Sequence, residues 1–169
     1  MGYKKLYFED KNMGTKYKMT DEIIKVNGKT LHRIEALIDI PAIGVTTGDK
    51  GGFIESEENL SQEGDCWVSG NARVYDNVRV SGNARVSRDA RVYDSAKVSG
   101  HACICDNAIV SGNAVVFEFA WVYNRAQVLG DAQVSDNARV CGNARVSGNA
   151  RVVGHAHVGG TTKLSGESA

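Results

Sequence analysis

Four histidines and four cysteines are the side chains of this 169-residue sequence best suited to chemistry. His32, His101, His155 and His157 could each serve as a general base, taking a proton from an acceptor hydroxyl or amine within hydrogen-bond reach. Cys66, Cys103, Cys105 and Cys141 could bind metal, cross-link or stay free. They form no C-x-x-C pair and show no Cys-x-His zinc spacing. Free thiols and no metal site are therefore expected. Arg73, Arg79, Arg85, Arg91, Arg139, Arg145 and Arg151 recur at intervals of six and could contact an anionic ligand such as phosphate or a nucleotide. A last set is apolar: VFEFAWVY at 116–123 puts Phe117, Phe119, Trp121 and Tyr123 within seven residues.

The spacing of these residues follows from the element that carries them. From Val68 the chain divides without insertion into 17 hexads: VSGNAR, VYDNVR, VSGNAR and so on to LSGESA. Position 1 is aliphatic in every hexad and position 5 is Ala in 14 of them. A period of six is neither helical nor simple strand alternation. It fits a strand of about four residues and a corner of two, with side chains alternating across the strand. Position 1 Val and position 5 Ala then face inward, while positions 6 and 2 face outward. Positions 3 and 4, often Gly-Asn or Asp-Asn, are the types that tolerate the positive φ of a sharp corner.

Three hexads close a triangular coil of 18 residues, so outward side chains at i and i+18 stack. The run predicts between five and six coils, about 27 Å long at the ~4.8 Å spacing of a sheet. One outer column reads Trp67, Arg85, Cys103, Trp121, Arg139, His157, beside Ser69, Ser87, Cys105, Tyr123, Cys141, Gly159. In the other columns Ile109, Val115, Phe117 and Leu129 interrupt Arg, Lys and Ser at the same height. Cys103, Ile109, Val115, Phe117, Phe119, Trp121, Tyr123 and Leu129 thus form an apolar belt around the middle coils. Clustered and rimmed by charge, such a belt reads as a contact site. The arginines wind round the outer coils, and Asp76, Asp89, Asp94, Asp106 and Asp136 are expected to pair with them across corners.

The hexads resemble the hexapeptide-repeat superfamily of left-handed parallel β-helices. Left-handedness is an implication of that resemblance, since the general crossover rule alone predicts the opposite hand. The segment GGFI–ESEENLSQEGDCWV leading into the hexads is similar to YdcK-type proteins, whose members are often labelled transferases from fold alone. The resemblance implies side-by-side packing into homotrimers or, for this chain, a homodimer. It also implies acyl transfer from acetyl-CoA as one activity, with a histidine base near a loop leaving the helix. His101 would be that base, being nearest the belt. His101 and His155 occupy corner position 4, however, and read first as corner residues. No loop interrupts the hexads and no helix follows them, which weighs against an enzyme and against any cofactor. Ice binding is rejected, since it needs outward Thr ladders.

Residues 17–41 predict a β-hairpin, DEIIKV and TLHRIEALIDI around the turn NGK, ended by Pro41. Residues 1–67 are expected to cap the open first coil, with 68–169 as the β-helix. Residues 1–14 show little pattern and read as disordered or non-native sequence. The final coil is expected to be frayed or covered by another chain. Residues 1–67 carry 9 basic and 12 acidic side chains, net −3, and residues 68–169 carry 11 and 8, net +3. That mild asymmetry argues against nucleic acid as a partner. There is neither an apolar run long enough for a membrane span nor an N-terminal apolar segment of the signal type, so a cytoplasmic protein is expected. The leading expectation is a non-catalytic binding or scaffold protein acting as a homo-oligomer. It would present a rigid surface to a protein or a small anionic ligand, with inhibition or sequestration as compatible roles.

Overall fold

The fold was read from a computed structural model, which describes residues 14–166. The expectations for residues 1–14 and for the final hexad fall mostly or partly outside that range. The chain is an all-β, left-handed parallel β-helix with an N-terminal β cap. Each hexad contributes one short strand, from Trp67–Val68 to Lys163–Gly166, and every third strand lies in the same sheet. One face holds six such strands and a second holds five. The third continues into the cap as a nine-stranded sheet. Pairing is parallel with the i, i+18 register throughout, for example Cys103 opposite Arg85 and Trp121.

Alternation decides the interior. Val74, Val86, Val98, Val110, Val122 and Val134 are fully buried, and so are the position 5 alanines from Ala72 to Ala144. Each buried Val contributes roughly 1.5–3 kcal/mol relative to exposure. Ala fits where the prism tapers toward a corner. Successive coils are tied by backbone bonds such as Trp121 N–H to the Ala138 carbonyl, 2.9 Å.

The corners differ from expectation. Positive φ falls on position 3 alone: Asp76, Arg88, Asp94, Asp106, Glu118, Asn124 and Asp136 adopt φ of 57–62°, and the glycines from Gly70 to Gly160 at the same position adopt 59–72°. Position 4 does not, so His101 and His155 are not there for conformational tolerance. The acidic corners are engaged along the axis instead of with the strand arginines. The Asp94 carboxylate accepts the Gly112 N–H at 2.9 Å, Glu118 accepts that of Asp136 at 2.8 Å, and Asp136 accepts that of Gly154 at 2.7 Å. Among the described residues Arg73, Arg79, Arg85, Arg91, Arg139, Arg145 and Arg151 form no salt bridge, whereas Arg88 pairs with Asp106 at 3.2 Å. The expected pairing of those seven arginines with the corner aspartates is therefore corrected: a carboxylate aimed along the axis satisfies the next corner amide.

The cap has three strands, β1 (Tyr17–Val26), β2 (Lys29–Ala36) and β3 (Lys50–Ile54). β1 and β2 form the expected hairpin, closed by Asn27 and Gly28, both at positive φ as a tight primed turn requires. β3 pairs antiparallel with β2 and parallel with Arg73–Val74, so the hairpin extends one face of the helix. Winding starts before the first regular hexad. Phe53 lies opposite Arg73 and Leu60 opposite Val80, a spacing of 20 residues, before Trp67 opposite Arg85 settles at 18. Gly52 permits this approach, since a Cβ there would sit 2.8 Å from the Ala72 carbonyl oxygen.

Polar groups seal the seam. The Tyr17 hydroxyl donates to the Leu60 carbonyl at 2.6 Å, and the buried Lys16 ammonium donates to the Cys66 carbonyl at 2.8 Å. Burial pushes the Tyr17 phenol well above its usual range, helped by the charge of Glu57. Buried Asn59 donates to the Asp76 and Val78 carbonyls and accepts from the Glu55 and Ser56 amides. Two outward residues are consequently hidden. Trp67 is only 4% exposed and meets Tyr17 edge-on, with centroids 6.4 Å apart. Tyr75 stacks on Tyr93 and is buried among Leu31 and Phe53.

Candidate binding surface

The apolar residues of the middle coils do not form an even belt. Cys103, Ile109, Val115, Phe117, Tyr123 and Leu129 are half-buried, their flanks covered by neighbours in the same ladders. Phe119 is 55% exposed and Trp121 44%. Both belong to the hexad that turns from the five-stranded face to the six-stranded face. Phe117 lies just before that corner, whereas Tyr123 follows the next strand, Trp121–Val122, and precedes the corner at Asn124. The exposed aromatic surface is thus one edge of the prism.

Ladder geometry fixes these side chains. Trp121 sits between Cys103 and Arg139 in register, and its ring meets Tyr123 edge-on at 6.5 Å and 90°. Phe119 lies flat on His101, with centroids 4.9 Å apart and planes 3° from parallel. His101 Nε2 is 3.4 Å from the Asn83 side-chain nitrogen. His101 is therefore brought to the belt as expected, but as a stacking partner. His32 is remote, its Nδ1 2.9 Å from the Thr20 carbonyl within the hairpin.

Beside Trp121 is an open cavity of about 400 Å³ lined by Arg88, Cys105, Asp106, Trp121, Tyr123 and Arg139. Arg139 approaches it from a strand and Arg88 from a corner. Burial raises the Cys103 thiol above its usual value and pushes Cys105 up to about 11, with Asp106 adding to the latter. Both are therefore neutral thiols at pH 7. The Tyr123 phenol is raised first by its hydrogen bond to Cys141.

The other arginines do not converge. Arg73 and Arg91 line a polar groove of about 250 Å³ with Asp89, while Arg79 lies by Glu57 and Glu58 at the cap. Arg85 borders a separate hollow under Ile43 and Val45. Arg145 donates to Gln127 at 3.5 Å, and Arg151 stands exposed on the five-stranded face. Of the seven, only Arg139 reaches the aromatic cavity. Among the described residues no group of three or more His, Cys, Asp or Glu could hold a metal ion.

Column-by-column reading of the sequence missed two features. Arg88 is at corner position 3, outside the outward columns, yet its side chain lines the cavity. Cys141 and His157 stand in neighbouring columns one coil apart, and their side chains meet with Sγ 3.0 Å from Nε2. The signal is a diagonal: an i, i+16 pair brings position 2 of one hexad beside position 6 in the next coil.

No helix among the described residues is long and apolar enough to cross a membrane. No curated protein matches the chain. A family model of the YdcK β-solenoid repeat matches residues 68–82, 78–94, 102–118, 132–146 and 144–160. Strand register and repeat agree: the matched segments within residues 68–160 are similar to YdcK β-solenoid repeats, and they are carried on the parallel β-helix described above.

Proposed function

We propose that this protein is a non-catalytic binding protein that works in the cytoplasm as a homo-oligomer, trimer or dimer. Its contact surface is the aromatic edge from Phe117 to Tyr123. The observation that carries this reading is the exposure of Trp121 and Phe119 side by side on a backbone fixed by ladders above and below. A rigid, preorganised aromatic surface loses little entropy on association, and large exposed aromatics are the residues that anchor interfaces. A second copy covers part of this edge. The cavity flanked by Arg88 and Arg139 is left for a small anionic ligand or an acidic segment of a partner protein, which the oligomer sequesters or inhibits. Sedimentation of wild type against Trp121→Arg tests the reading. Loss of the oligomer supports it, and an unchanged mass removes the assignment.

A further inference from the structure

On the six-stranded face, Cys141 lies one coil beyond Tyr123 and His157 two coils beyond Trp121. Sγ is 3.0 Å from Nε2, within the distance at which an imidazole takes a thiol proton. Tyr123 stands in the same column as Cys141, one coil earlier, and its phenol is raised first by its side-chain contact with Cys141. His157 is exposed and Cys141 half-buried, so a reagent reaches the pair from solvent.

A second, independent observation concerns Gly159. It occupies position 2 of its hexad, where the other 16 hexads carry a side chain. Its φ is not in the left-handed region, so the backbone does not call for glycine. A Cβ at Gly159 would instead stand 3.3 Å from Cys141 Sγ and 3.6 Å from His157 Nε2. The missing side chain leaves an open approach to the sulfur at the place where the pair meets.

We propose that Cys141 and His157 form a nucleophilic thiol–imidazole pair that adds α,β-unsaturated carbonyl compounds. With His157 protonated at Nδ1, Nε2 takes the thiol proton. Sulfur bonds to the β-carbon, the carbon–carbon π pair moves toward the carbonyl, and the α-carbon receives the proton back from the imidazolium. Nothing leaves and no oxidant is consumed. The product is a stable thioether on the outer face of the helix. Among the described residues neither Cys103 nor Cys105 has a hydrogen bond to an imidazole, and burial holds both as neutral thiols, while Cys66 is buried under the cap. This site stands apart from the oligomer reading and does not depend on it.

The test uses the full chain and limiting N-ethylmaleimide at neutral pH, with adducts located by peptide mass spectrometry. Cys141 is expected to label at least ~10-fold faster than Cys103 or Cys105, a floor below the ~10²–10⁴-fold that a positioned base contributes. His157→Asn should slow Cys141 by a similar factor and leave the rates at Cys103 and Cys105 unchanged, which reports an intact fold. Gly159→Val should slow Cys141 by closing its approach. Labelling of Cys141 no faster than Cys103, or an unaltered Cys141 rate in His157→Asn, overturns the proposal.

Discussion

The carboxylate of Asp136 accepts the backbone N–H of Gly154, 18 residues on, at 2.7 Å. The two residues are corner neighbours in successive coils, and Glu118 makes the same contact to the amide of Asp136 itself. The corner column is thereby a chain of acceptors running along the axis. It satisfies amides that a bend would otherwise leave to solvent.

This relationship predicts a pH dependence. The Gly154 amide holds the Asp136 carboxyl below its usual value. A depressed folded-state value means stability that is present above the unfolded value near 3.9 and lost as pH falls through the folded value. Asp136→Ala should therefore lower Tm at pH 7, and the gap to wild type should shrink on acidification below about pH 4. A pH-independent gap in thermal scans would show that the carboxylate's charge does not matter.

The inward ladder predicts a larger effect from a smaller change. Val122 is fully buried beneath Trp121. Val122→Ala should cost about 2 kcal/mol from lost burial and the cavity left behind, read as a shift in the urea midpoint. Trp121→Ala, one residue away and exposed, should change monomer stability by less than about 0.5 kcal/mol.

At the cap, Tyr17→Phe removes the donor to the Leu60 carbonyl and leaves a buried acceptor unpaired. A loss of about 1–3 kcal/mol is expected in urea unfolding. Protection in hydrogen exchange should fall first in β1 and the first coil, because these segments meet at that bond.

Acetyl-CoA separates binding protein from acyltransferase. Titration to saturation is expected to give no heat and no shift in Tm. A clear shift would revive acyl transfer, and its loss in His101→Ala would place the base at His101.

The sequence alone determined the repetitive part. A six-residue period with inward Val and Ala dictates short strands and corners, and stacking at i+18 follows from three hexads per coil. The Asn-Gly turn, free of outside contacts, was equally legible. These features are local: each hexad carries its own strand and corner, and the preceding coil templates its register. What only the tertiary structure decided lies between coils or at the cap. The cap folds over Trp67 and Tyr75, so two residues that alternation turns outward are buried. Asp94 and Asp136 reach along the axis to amides in place of arginines, because position 3 alone takes positive φ and aims its side chain that way. The belt became an edge, since neighbours in the same ladders cover Ile109, Val115 and Leu129 and leave Phe119 and Trp121 bare. Cys141 met His157 on a diagonal between columns. Side-chain direction across stacked coils sets each of these outcomes, and a one-dimensional period carries no information about it.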